Sequence, residues 1–151
     1  MSKVYVIGSL RNDAIQAVGR RLRDSGHDVF DDWHGAGPDA DHYWQEYEQA
    51  RGRTYQEALT APIADHNFEF DLAWLEWADA GVLVMPAGKS GHLELGWLVG
   101  KGKTGIIYMP DGEPERWDLM YKFAKAVCYT VDEVIAALEQ DGGPVPNHRG
   151  Y

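Results

Sequence analysis

The run Gly81-Val82-Leu83-Val84-Met85-Pro86 shows no polar alternation. Such a run predicts a strand buried on both faces, as in a parallel sheet covered by helices. Helical patterns flank it. Residues 67–79 carry Phe70, Leu72, Trp74, Leu75 and Ala78 as apolar content, and residues 90–101 follow as a second helix. Further out, residues 3–8, Lys-Val-Tyr-Val-Ile-Gly, read as another buried strand ending in glycine. Residues 12–25 predict a helix capped by Asn12 or Asp13, with Ile15, Val18 and Leu22 as its apolar stripe and Gly26 as its stop. Val29 and Phe30 belong to a short strand ending at Asp31-Asp32-Trp33. Later come a strand at 104–109, a helix at 117–126, a short strand at 127–130 and a last helix at 132–139.

Strands alternating with helices predict an α/β fold in three layers. Five strands in a chain of 151 residues suit a flavodoxin-like parallel sheet of order 2-1-3-4-5. Residues 1–141 form one domain in this reading. Residues 34–66 are a variable helical insertion, and 142–151 a tail expected to be mobile. Within the insertion, 34–41 reads as a loop and 42–60 as a polar helix unusually rich in aromatics (Tyr43, Trp44, Tyr47, Tyr55), which Pro62 ends or kinks.

Composition narrows the function. Fourteen Lys and Arg against 24 Asp and Glu give a formal charge of −10. That excludes a nucleic acid polymer as partner, since phosphate backbones are held by a basic face, and argues against an anionic membrane. A small anionic ligand needs only a few local donors. The single cysteine, Cys128, excludes a disulfide framework and a Cys-rich zinc site. No apolar run reaches the length of a membrane span, and Met-Ser-Lys leads directly into a strand, so a soluble, cytoplasmic protein is expected. The six histidines show no metal spacing. Gly100-Lys-Gly-Lys-Thr-Gly105 fits a dinucleotide fingerprint but follows a helix and precedes a strand, so it reads as a helix stop with two solvated lysines.

In a sheet of this order, ligands bind beyond the carboxyl ends of the first and third strands, where the strand order reverses. Two segments therefore matter: Gly8-Ser9-Leu10-Arg11-Asn12, and the stretch from Pro86 to Glu94. Glu94 falls in the predicted first helical turn, where the helix dipole and free N–H groups would hold it ionised. An ionised, positioned carboxylate can attack a sugar carbon; it can equally do no more than stabilise its helix. Asp71 interrupts the apolar run Phe68-Glu69-Phe70-Asp71-Leu72, as a pocket acid with a tuned pKa does, or a surface aspartate. Tyr5, inside the first strand, can hold a carboxylate in place or simply fill the core. Ser9 and Arg11 can offer donors to an anion or hydroxyls, and Trp33 can stack on a base or pack.

Several of these residues carry a family resemblance. The run Asp71-Leu72-x-Trp-Leu-x-x-Ala78-Asp79-x-x-Val82, followed by Glu94-Leu95-Gly96-x-x-x-Gly100-x-Gly102-Lys103, resembles the nucleoside 2-deoxyribosyltransferase family. Tyr5 with Gly8-Ser9-Leu10-Arg11, and Leu119-Met120-Tyr121-Lys122-Phe123-Ala124, fit it too. Only residues 34–66 and the tail lie outside the resemblance. It implies cleavage of a nucleoside N-glycosidic bond, with Glu94 as the nucleophile that forms a deoxyribosyl-enzyme intermediate. Asp71 contacts base or sugar and assists leaving-group protonation, and Tyr5 positions the glutamate. The segment around Asp118 and Met120 serves a neighbouring subunit's site, so a homodimer or higher homo-oligomer is implied. Gly8, Ser9, Arg11, Trp33, Gly88, Ser90 and His92 complete the expected substrate contacts. The partners implied are a small nucleoside or nucleotide and a free nucleobase, in nucleotide salvage, with no metal and no organic cofactor.

Departures from the pattern bear on the substrate. Gly88 stands where transferases usually carry an aspartate that grips the sugar 3′-hydroxyl, and Asp118 where they often carry asparagine. The Gly8–Arg11 loop instead resembles related 2′-deoxynucleoside 5′-phosphate N-hydrolases, which hold a phosphate there. Asp118 would repel such a phosphate, and Ser90 is not at the position of those hydrolases' phosphate-binding serine. Transfer to another base is the leading expectation because the Leu119–Ala124 segment is closer to the transferase branch. Hydrolysis of a 5′-monophosphate is the alternative. A module that binds a nucleotide without turning it over, with 34–66 as its recognition surface, is the third.

Overall fold

The computed structural model describes residues 1–140. The tail expected at 142–151 lies outside the described residues, as does the last residue of the 1–141 span. The chain runs β1 (Lys3–Ile7), α1 (Ile15–Asp24), β2 (Asp28–Phe30), a 3-10 turn (Asp32–Ala36), α2 (Ala40–Ala50), α3 (Tyr55–Leu59), α4 (Pro62–Trp77), β3 (Ala80–Val84) and α5 (Lys89–Gly100). It continues through β4 (Thr104–Tyr108), a second 3-10 turn (Leu119–Phe123), β5 (Ala126–Cys128) and α6 (Val131–Glu139). The sheet has five parallel strands in the order β2-β1-β3-β4-β5, as the sequence predicts.

Residue alternation divides the core between the two faces of the sheet. Val4, Val6, Val82, Val84 and Ile106 pack against α1 and α6 through Ile15, Leu22 and Val134. Tyr5, Ile7, Leu83 and Ile107 pack the other way, against Leu75 of α4 and Leu95 and Leu98 of α5. Burial of each large aliphatic side chain contributes roughly 1.5–3 kcal/mol. Gly81 pairs with Tyr5 in the ladder, and a Cβ there would strike Leu98 and Ile7, so its missing side chain lets α5 sit close on the centre of the sheet.

Four expectations are corrected. The helix predicted at 42–60 is two helices, because Gly52 takes a left-handed φ of 74° and Thr54 starts α3 with a capping box. In that box Glu57 N donates to Thr54 Oγ1 at 3.2 Å, and Thr54 N to Glu57 Oε1 at 3.0 Å. Pro62 neither ends nor kinks a helix. It opens α4 at the first position, where its missing N–H would be unpaired in any case, so α4 begins before residue 67. The helix predicted at 117–126 is only a 3-10 turn. Trp117, Leu119, Met120 and Phe123 are all more than half exposed, so no apolar face anchors a longer helix, and Lys125 N already donates to Gly105 O at 2.7 Å. Finally, Lys103 is not solvated. Its Nζ donates to the carbonyls of Leu75, Glu76 and Ala78 at 2.9, 2.6 and 2.6 Å, closing the end of α4.

Candidate active site

The crevice forms where β1 and β3 end side by side. Tyr5 reaches it from within β1, only 2 % exposed. Asp71 comes from α4 and Glu94 from α5, both half-buried. The Tyr5 hydroxyl donates a hydrogen bond to the Glu94 carboxylate. Glu94 Oε2 is buried and has no hydrogen-bond partner among the described residues. Three side chains that are 66 and 23 positions apart in sequence thus meet at one spot.

Aromatic rings enclose this spot. Phe30 stacks on Trp74 at 4.2 Å and meets Tyr5 edge-on at 5.1 Å and Phe70 at 6.1 Å. Phe70 and Trp74 flank Asp71 on α4, and the helical spacing of one turn between them was the available signal for this wall. Low dielectric disfavours the charged form of an acid. Burial accordingly pushes the Glu94 carboxyl from its ordinary 4.5 up to about 7; the Asp71 charge adds to the rise, and the Tyr5 hydrogen bond opposes it. Burial also raises Asp71. Tyr5, desolvated and facing two carboxylates, is raised far above the usual phenol range and stays a donor.

The expected origin of the Glu94 charge state is therefore corrected. Glu94 is the sixth residue of α5, beyond the first turn where a helix dipole acts. It is not held ionised. It is poised near neutrality by burial and by Asp71.

The loop after β1 is built from its own polar groups. Ser9 Oγ accepts from Arg11 N at 3.1 Å. The Asn12 carboxamide accepts from Ala14 N at 2.9 Å and donates toward Val84 O at 3.3 Å and Met85 O at 3.4 Å, tying the two switch-point loops together. A Cβ on Gly8 would approach the Ile15 side chain at 2.7 Å, which accounts for glycine there. Arg11 is engaged by Asp41 of α2 in a two-pronged ion pair of 2.9 and 3.0 Å. Trp33 uses its indole N–H on Val6 O at 2.7 Å and packs its ring against both sides of the core.

At the start of α5, Gly88 is the N-cap residue, with open space where a side chain would stand, and Ser90 is exposed in the first turn. His92 bridges inward. Its Nδ1 donates to Gly88 O at 2.7 Å, because a carbonyl can only accept, so its Nε2 accepts from the Tyr121 hydroxyl at 2.8 Å. Tyr121 is a residue the sequence reading did not single out; it joins the 3-10 turn of Asp118 and Met120 to α5. Asp118 caps that turn by accepting from Met120 N at 2.8 Å, and Met120 is exposed. Neither is hydrogen-bonded to Glu94 among the described residues.

Chemically, the site offers a carboxylate with one free oxygen, a second acid whose pKa burial raises, and a phenol that donates to the first. No protein-family model matches the chain, and no curated protein matches it. Solved structures do. A 2-deoxyribosyltransferase from the psychrotolerant bacterium Bacillus psychrosaccharolyticus is similar, with a TM-score of 0.60, 20 % identity, and coverage of 88 % of this chain and 90 % of that one. A CMP N-glycosidase from Clostridium botulinum is similar at a TM-score of 0.54 and 14 % identity, covering 91 % of this chain and 99 % of that one. Both likenesses are likenesses of fold.

Proposed function

We propose that the protein cleaves the N-glycosidic bond of a 2′-deoxynucleoside through a covalent glutamyl intermediate and passes the sugar to another base. The observation that carries this reading is the free, buried Oε2 of Glu94, beside Asp71 and held by Tyr5. Ionised Glu94 attacks the anomeric carbon. A carbon–oxygen bond forms to the carboxylate as the carbon–nitrogen bond to the base breaks, and the departing nitrogen takes a proton from Asp71 or from water. A second base then attacks the same carbon and returns Glu94 as carboxylate. The two steps invert twice, so configuration is retained. Both similar structures belong to proteins named for chemistry at such bonds, which supports the reading.

Water as the second acceptor would make the protein a hydrolase. The specific support for that reading is two cations, Arg11 and Lys89, which line one cavity and suit a 5′-phosphate, together with the likeness to a CMP N-glycosidase. The exposed apolar side chains Trp117, Leu119, Met120 and Phe123 support a homo-oligomer in which this turn is covered. Among the described residues no helix is long and apolar enough to cross a membrane.

The test is mass spectrometry of the intact protein after mixing with deoxyinosine. The expected result is a deoxyribosyl adduct mapped to Glu94 and missing from Glu94→Gln. Adding free adenine should yield deoxyadenosine; a deoxynucleoside monophosphate tests the hydrolytic branch. No adduct and no released base from either substrate would overturn the reading.

A further inference from the structure

Between the β1–α1 loop, α2, α3 and the start of α5 lies a cavity of about 800 Å³ whose wall includes Arg11, Trp44, Glu48, Arg53, Tyr55 and Lys89. Tyr5, Asp71 and Glu94 are not in this wall. Helix α5 carries a residue of each group. Lys89 opens α5, and Glu94 follows it on the same helix by about 7.5 Å of axial rise.

The charge of the wall is opposite to that of the chain. Its carboxylates are engaged: Asp41 by Arg11 at 2.9 Å, and Glu48 by Arg53 at 2.7 Å. Lys89 has no ion-pair partner among the described residues. The unbalanced charge is thus positive and sits on the side nearest Glu94. Deeper in, Glu48 is only 2 % exposed, and its Oε1 has no hydrogen-bond partner. One helical turn earlier, the buried Trp44 Nε1 also has none. A buried acceptor and a buried donor left unmet on residues one helical turn apart are unusual in a folded chain. A ligand hydroxyl that donates to one and accepts from the other would satisfy both.

We propose that this cavity is the second compartment of the substrate site, and that the substrate is a nucleotide whose phosphate is joined to a further ring-bearing, hydroxylated group, as in a dinucleoside diphosphate. This rests on the N-glycosidic reading above. The phosphates lie between Arg11 and Lys89. They displace Asp41 from Arg11, an exposed pair of the kind that holds weakly. The second ring lies against Trp44 and Tyr55, and a hydroxyl of that moiety meets Glu48 Oε1 and the Trp44 N–H. A lone phosphate would leave most of the cavity, and both orphan groups, unfilled.

Calorimetric titration of the full chain with deoxyadenosine 5′-monophosphate and with bis(deoxyadenosine) 5′,5′-diphosphate tests this, with released adenine measured in the same samples. The dinucleotide should bind about tenfold more tightly. Trp44→Phe, which removes the indole N–H, should reduce that ratio about fivefold. Lys89→Ala should weaken both ligands together. If Trp44→Phe lowers the melting temperature sharply, Tyr55→Ala on α3 asks the same question from another element. Equal affinities in the parent protein, or a ratio untouched by these variants, would overturn the proposal. Tight, Trp44-dependent binding without adenine release would leave the cavity assignment standing and sink the glycosidic reading. Release without preference for the dinucleotide would do the reverse.

Discussion

The Glu94 crevice and the α2–α3 insertion solve opposite problems. In the crevice, polar groups are carried by the core itself: Tyr5 by a buried strand, and Asp71 and Glu94 by the two helices packed over it. Little there neutralises the two acids, so burial leaves both raised. In the insertion, the charges that line its cavity are matched by ion pairs. Arg53 pairs with Glu48, Arg11 with Asp41, and His42 lies 2.9 Å from Glu46. One region stores electrostatic tension and the other relieves it. The contrast teaches that tension, rather than polar content, marks where chemistry belongs.

The sharpest way to break the comparison is Glu94→Gln. It should abolish turnover, by about 10³-fold or more in kcat/KM, yet stabilise the fold. The carboxyl titrates near 7 in the folded protein against 4.5 ordinarily, so ionisation destabilises the folded state as pH rises through that window. The variant's advantage should be absent at pH 4, grow between 4.5 and 7, and reach about 3 kcal/mol at pH 8, roughly 9 °C in Tm. A variant less stable than the parent at pH 8 would show that the crevice holds no such tension. Asp71→Asn comes next. It should lower kcat about 10²-fold through loss of the leaving-group acid. It should also move the acid limb of the kcat/KM profile to lower pH, because the Asp71 charge helps to raise Glu94. A pH–rate series on both proteins checks the direction.

The sheet order and the meeting of Tyr5, Asp71 and Glu94 were legible in the sequence because long-range placement there follows from burial. A strand such as 81–86 with no polar alternation has only one place to go, and alternation then aims Tyr5 at the face that α4 and α5 cover. The charge state of Glu94 was not legible. It depends on desolvation and on the charge of Asp71, which α4 brings from 23 positions away, and neither shows in the sequence around Glu94. The insertion was legible only as helical. Its break is set by the left-handed φ at Gly52 and by a capping box, and Glu48 meets Arg53 across that break. Such local chemistry leaves no periodic trace.

A smaller effect tests the insertion's side of the contrast. Arg53→Ala leaves a carboxylate that is 2 % exposed without its cation. Losing one partner of a pair whose carboxylate is buried destabilises the fold, so a urea midpoint below the parent's is expected. Arg53→Lys should restore part of the difference. No loss of stability would mean that the insertion is not held by its matched charges.

The smallest effect separates positioning from packing at Tyr5. Tyr5→Phe keeps the ring, its 5.1 Å edge contact with Phe30 and its place in the core, and removes only the hydroxyl. If the tyrosine merely fills space, the rate changes little and the pH profile stays where it is. If it holds the nucleophile, two things follow together. The rate falls about tenfold as Glu94 loses its fixed orientation. The acid limb also moves up in pH, since the lost hydrogen bond is the one influence that lowers the Glu94 pKa. This shift is opposite in sign to that of Asp71→Asn, although both variants remove a polar group beside the same carboxylate. A general perturbation of the crevice would push both limbs the same way; only a nucleophile balanced between a donor and a like charge moves in opposite directions when each is removed.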